Sequence, residues 1–199
     1  MRRILGFLML GLLFGCGLHA SAQSNRWSDL QHARLILLDW SCATPAAYPS
    51  GKLNQIVKRV MKREGFEGFG SYGDRAFVFD LNGDRKPEYF VPLDCGAVGN
   101  CAWGVFATNP VRELGLINAQ HIYVRRSAGH WPDLATYGHV SASEGDVMTY
   151  RFRGQRYRQS GSWYPINHGE YALDIQGGMG HKLPKFLAAA KRGCKSVEY

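Results

Sequence analysis

The spacing of apolar residues along the chain changes character twice. Leu53, Ile56, Val57, Val60 and Met61 fall on one stripe at helical spacing, and Lys52, Lys58, Arg59, Lys62 and Arg63 take the other side. Ser50 stands where a helix cap belongs and Gly65 where the helix should stop, so the spacing predicts a helix over 51–64. From residue 76 the period drops to two. Residues 76–79, 89–91, 103–106, 121–124, 147–152 and 155–158 read as strands, separated by turn residues such as Asn82-Gly83, Asn109-Pro110 and Gly145. Arg153-Gly154-Gln155 predicts a tight hairpin turn. The run Leu35-Ile36-Leu37-Leu38 fits either the end of a helix begun at Ser28-Asp29 or a buried strand. Pro184, a good first-turn residue, predicts a closing helix that runs toward Gly193. The expected fold is mostly β within the α+β class: an antiparallel meander or blade-like sheet with helices at its N- and C-terminal ends. No linker-like stretch divides residues 23–199, which therefore read as a single domain.

The first 22 residues read as a signal peptide and not as part of that domain. Arg2 and Arg3 form a positive start, residues 4–14 an apolar core, and Ala20-Ser21-Ala22 an A-x-A cleavage signal. A second processing route is also legible, since Leu13-Phe14-Gly15-Cys16 resembles a bacterial lipobox whose cysteine would carry lipid. Either route places the mature protein in the periplasm or outside the cell. In the second, Cys16 would anchor it to the outer membrane as a lipoprotein.

Composition narrows the class. Of 199 residues, 45% are apolar, 13% aromatic and 20% charged, which excludes a disordered chain and fits a globular one. Removing residues 1–22 takes away Arg2 and Arg3 and lowers the formal charge from +8 to +6. Cysteines 42, 95, 101 and 194 remain, and an even number in an exported chain implies disulfides. Cys95 and Cys101 enclose a flexible five-residue loop whose ends can meet, which leaves Cys42 for Cys194. The competing zinc reading lacks the paired ligand spacing that zinc requires.

One segment carries specific chemistry. Asp80-Leu81-Asn82-Gly83-Asp84-Arg85-Lys86-Pro87-Glu88 places oxygen side chains at positions 1, 3, 5 and 9 of a short loop. Calcium takes six to eight oxygens, and alternate residues of a curled loop can turn theirs inward. The loop is not an EF-hand, because position 12 is Val91 and the flanks read as strands. It resembles the D-x-N-x-D-G-x-x-D/E calcium loop of FG-GAP and VCBS repeats, found in integrin-type propeller blades. That resemblance implies Asp80, Asn82, Asp84, the Lys86 carbonyl and Glu88 as ligands of a structural calcium. The chain departs from the pattern at position 6, where Arg85 replaces the usual glycine, and in having a single such loop. An ordinary Asn-Gly hairpin with solvated acids is the alternative.

No established catalytic pattern is present: no G-x-S-x-G, H-E-x-x-H, P-loop or dinucleotide fingerprint. Ser160, Ser162, His168, Glu170 and Asp174 are the conceivable parts of an unrecognised envelope hydrolase. Binding is better supported. Arg151, Arg153, Arg156 and Arg158 cluster where alternation puts them on one strand face, opposite Tyr150, Phe152 and Tyr157. Such a face suits a protein or an anionic cell-envelope component, with export arguing against nucleic acid. Trp131 is a candidate aromatic anchor. Ser160-Gly161-Ser162-Trp163-Tyr164 fits S-G-x-x-Y and is similar to the loop with which periplasmic lysozyme inhibitors plug an active-site cleft. That likeness implies Ser160 and Tyr164 as contact residues of an inhibitor or immunity protein against a cell-wall hydrolase.

Overall fold

A computed structural model describes residues 34–66, 75–96, 99–125, 131–139, 145–163, 171–174, 181–184, 187 and 189–194. The chain is a mostly-β α+β fold. Its elements are β1 (Leu35–Asp39), two short 3-10 turns, α1 (Gly51–Glu64), β2 (Phe77–Phe79), β3 (Glu88–Cys95), β4 (Cys101–Thr108), β5 (Val111–Ala119) and β6 (His121–Arg125). There follow β7 (Leu134–His139), β8 (Gly145–Arg153), β9 (Arg156–Trp163), β10 (Tyr171–Asp174), β11 (His181–Pro184) and β12 (Lys191–Arg192). The signal segment, Cys16, Tyr164, His168 and Glu170 lie outside the described residues.

Two antiparallel meanders organise these strands. The first is a four-stranded sheet, β2-β3-β4-β5, and the second, β6-β7-β8-β9, is extended by β1 and β12 into a six-stranded sheet. β10 and β11 pair only with each other. The inner faces of the two large sheets share one core, where Phe77, Phe90, Trp103 and Ile117 of the first meet Leu38, Ile122, Leu134 and Tyr157 of the second. Aromatic packing fills it: Phe77 stacks on Phe90 with ring centroids 4.6 Å apart and tilts against Trp103 at 5.2 Å.

The helix α1 forms where its stripe predicts and covers the outer face of the first meander. Leu53, Val57 and Val60 are buried against Val91, Leu93 and Phe106. Ser50 holds the extended cap conformation, but its hydroxyl caps nothing. Gly65 ends the helix in the left-handed region, φ 76°, with the Gly65 and Phe66 amides closing on Lys62 and Met61 carbonyls.

The N-terminal ambiguity resolves to a strand, because β1 has partners on both sides. It runs antiparallel to β6 and parallel to β12. The closing helix expected from Pro184 differs in the structure. Pro184 ends β11, and Lys191–Arg192 is a strand docked on β1. α1 is the only full α-helix among the described residues; of the expected closing helix, Leu187 is helical, while residues 185, 186 and 188 lie outside the described residues.

Both expected disulfides are present, Cys42–Cys194 and Cys95–Cys101. The first ties the turn after β1 to the segment after β12, reinforced by Arg192 Nη2 to Asp39 Oδ2 at 3.3 Å. Two structural disulfides belong to an oxidising compartment. No helix among the described residues is long and apolar enough to cross a membrane.

Candidate functional site

Loop 80–88 joins β2 to β3, and its conformation is set by side-chain oxygens that accept its own backbone amides. Asp80 Oδ1 accepts from the Gly83 N–H at 2.8 Å, and Oδ2 from the Arg85 N–H at 3.0 Å. Asn82 Oδ1 accepts from Asp84 N–H at 2.9 Å, and Asp84 Oδ1 from Lys86 N–H at 2.8 Å. These are successive Asx turns, the local competition that keeps Asp and Asn out of regular ladders. Leu81 points into the core and is 5% exposed, anchoring the loop from beneath. Arg85 takes φ 67°, the left-handed conformation that a glycine would adopt at no steric cost.

Glu88 differs from its neighbours. It is 2% exposed, and its Oε2 accepts the Leu81 N–H at 2.8 Å. Desolvation, reinforced by the nearby negative charges of Asp84 and Asp80, pushes its carboxyl from the ordinary 4.5 up to about 7, with the Leu81 amide opposing. No ion pair among the described residues neutralises it. The donor set is therefore all oxygen, as a hard cation prefers, and each carboxylate oxygen that accepts one N–H keeps a second lone pair. Among the described residues no three His, Cys, Asp or Glu side chains converge as a ready-made metal cluster. The fit is thus one of donor chemistry.

The second candidate is the β8–β9 hairpin. Gly154 (φ 55°) and Gln155 (φ 70°) form its two-residue turn, as expected from the strand period. The register pairs Arg151 with Arg158, Phe152 with Tyr157 and Arg153 with Arg156. Pleating therefore places the four arginines on one face, and Phe152 and Tyr157 on the other, against the core. Two of the four are tied down. Arg151 meets Asp133 through Nη2 at 3.1 Å and Nε at 3.3 Å, and Arg156 meets Glu113 at 3.3 Å. Arg153 and Arg158 are exposed and make no hydrogen bond or ion pair with any described residue.

The remaining expectations land elsewhere. Trp131 is half-buried and stacks on Phe152 at 4.4 Å, so its ring lies against the core. Ser160 sits within β9, its hydroxyl 3.2 Å from the Thr149 carbonyl and 3.1 Å from Thr149 Oγ1, so the S-G-x-x-Y segment starts inside a strand. Glu113 was not legible as a site residue. It lies on β5, its side chain 8% exposed, and it accepts from both Arg63 of α1 and Arg156 of β9. The available signal was the Lys/Arg-rich side of α1, which reads from periodicity alone as a solvated face.

No family model, curated protein or solved structure matches the chain. The likeness to FG-GAP and VCBS loops accordingly rests on loop 80–88 and the strand that follows it.

Proposed function

We propose that the mature chain is an exported, non-enzymatic binding protein. It holds a structural calcium in loop 80–88 and engages an anionic partner of the cell envelope through the arginine face of the β8–β9 hairpin. The observation that carries this reading is the hairpin register: four guanidinium groups share one face, and two of them have no counter-ion among the described residues. Guanidinium groups present forked donors matched to carboxylate and phosphate, and an exposed pair of them steers anionic surfaces at low ionic strength. The calcium part is supported by the all-oxygen donors of Asp80, Asn82, Asp84, the Lys86 carbonyl and Glu88, and by a buried acid that no ion pair among the described residues neutralises.

Co-sedimentation with vesicles or polysaccharide of graded negative charge tests the face. Binding should grow with anionic content, fall as salt rises through the Debye regime, and weaken about tenfold or more in R153A/R158A. Charge-independent binding, or a double variant that binds as before, overturns it. A tight stoichiometric complex with a cell-wall hydrolase, lost on Ser160→Trp, would identify an inhibitor instead. Thermal melts in millimolar calcium and in chelator test the loop. The melting temperature should rise with calcium by mass action, and Asp84→Ala should erase the difference.

A further inference from the structure

Between α1, β5 and the β8–β9 turn lies a groove of about 380 Å³. Four arginines line it: Arg59 and Arg63 from the helix, Arg112 from β5 and Arg156 from β9. A single carboxylate, Glu113, faces them within the groove, and Ile56, Val60 and Val111 form an apolar wall. The arginines are not equivalent. Glu113 takes the Arg63 fork, with Nη1 at 2.8 Å and Nη2 at 3.0 Å, and one nitrogen of Arg156 at 3.3 Å. Glu64 adds a contact to Arg63 Nε at 2.6 Å. Arg112 donates Nη1 to the Gln155 carbonyl at 2.6 Å, which fixes its head against the hairpin turn. Arg59 makes no hydrogen bond or ion pair with any described residue.

We propose that this groove is a binding site for a phosphomonoester whose ester group is apolar. Glu113 acts as a positioning residue: it is nearly buried and holds guanidinium groups from two separate elements in place, so the site is assembled before any ligand arrives. Glu113, with Glu64 at the Arg63 end, cannot neutralise four cations, and among the described residues the whole Arg59 fork and further nitrogens of Arg112 and Arg156 remain as donors from three elements. A carboxylate offers only two oxygens, as Glu113 does to the Arg63 fork and one nitrogen of Arg156. Donors arriving from three directions suit the three terminal oxygens of a phosphate. The apolar wall then selects for a ligand that carries an apolar body next to that charge, the usual division of labour in a small-molecule pocket. The site goes beyond the envelope-binding reading and depends neither on the calcium loop nor on Arg153 and Arg158.

Calorimetric titration of the full mature chain with phenyl phosphate, inorganic phosphate and benzoate at matched ionic strength tests this. Phenyl phosphate should bind saturably, inorganic phosphate and benzoate each about tenfold more weakly or worse. Arg59→Ala, on the exposed side of α1, should weaken phenyl phosphate about tenfold, and Arg112→Gln should do the same. R153A/R158A should leave it unchanged, which separates failure here from failure of the hairpin reading. A parallel arm with phosphatidate vesicles assigns the source: vesicle binding lost in Arg59→Ala identifies a lipid headgroup, and binding of phenyl phosphate alone a soluble ester. Equal affinity for benzoate and phenyl phosphate, wild-type affinity in both arginine variants, or no saturable binding at millimolar phenyl phosphate overturns the proposal.

Discussion

The two meanders have the same strand order and handle charge in opposite ways. The first carries its acids in loop 80–88, where Asp80, Asn82 and Asp84 curl onto amides two to five residues away. The second carries its bases on the β8–β9 hairpin, where Arg151 and Arg156 reach acids 18 and 43 residues distant. The difference follows from the groups themselves. A carboxylate is an acceptor and every loop is full of N–H donors, so acids can be satisfied locally. A guanidinium has only donors and a long stem, so it is satisfied by reaching another element. Acids therefore shape one loop, while arginines stitch α1, β5 and β9 together, tie β8 to Asp133 just before β7, and leave their surplus facing outward.

The largest expected effect comes where the two meanders touch. Gly115 of β5 has φ 141°, and a methyl group there would stand 2.8 Å from the Tyr157 carbonyl oxygen of β9. The obstacle is backbone, which cannot step aside as a side chain would. Gly115→Ala should cost about 3 kcal/mol, read as a fall in denaturant midpoint at unchanged slope. The stitching by Arg112 and Arg156 should loosen with it, since both join β5 to the β8–β9 hairpin. A neutral Gly115→Ala would mean that the sheets are not in backbone contact along this edge, and the comparison would lose its common frame.

How much of this was legible in advance depends on whether one face of an element meets water. α1 carries a clean apolar stripe, and near the turn of the β8–β9 hairpin exposed arginines flank the buried Tyr157, so both elements formed where their periods predicted. β7 escaped notice because all six residues of Leu-Ala-Thr-Tyr-Gly-His are buried, so there is no polar face to reveal a period. β5 escaped because Arg112-Glu113 and Gly115 imitate a loop. Glu113 is there to bind arginines, and Gly115 to let Tyr157 approach. The ladder between β4 and β5 also slips at Val105 and Phe106, which breaks the alternation further. Pro184 misled because the same fixed φ that opens a helix also tolerates the end of an edge strand. In the acidic loop the ligand-type residues were plain from spacing. The burial of Glu88 was not, because it depends on the inner sheet face that Phe90 and Leu81 share.

Glu88 makes the acid half of the comparison measurable by pH. Its carboxyl titrates at about 7 in the fold against an ordinary 4.5, so between those values the folded chain holds a proton that the unfolded chain has released. Stability should therefore fall as pH rises from about 4.5 to 7, by about 3 kcal/mol at most, and level off above. Denaturant titrations across that window, in chelator, give the slope. Glu88→Gln should flatten it. A slope that survives in Glu88→Gln, or a wild type without one, would remove the distinction between an acid loop with a desolvated carboxyl and an arginine face relieved by ion pairs. Saturating calcium should also flatten the slope, because a bound cation replaces the proton as the neutralising charge.

The smallest effect separates the two turns. Arg85 and Gln155 are the two non-glycine residues with positive φ among those described, at 67° and 70°. Each sits in a conformation where a side chain costs about 1–2 kcal/mol, offset in part by the extra freedom glycine gives the unfolded chain. Arg85→Gly and Gln155→Gly should each raise stability by about 0.5–1 kcal/mol in chelator, a rise of a few degrees in melting temperature. In calcium the two should part. Arg85→Gly also removes a positive charge from the loop that carries Asp80, Asp84 and Glu88, so its calcium-induced shift should exceed that of the wild type. Gln155→Gly changes a turn that touches no acid of the loop, and its calcium shift should equal the wild-type value. Equal calcium shifts in both variants would show that Arg85 matters only as a strained backbone position, and that the charge around loop 80–88 has no bearing on what the loop holds.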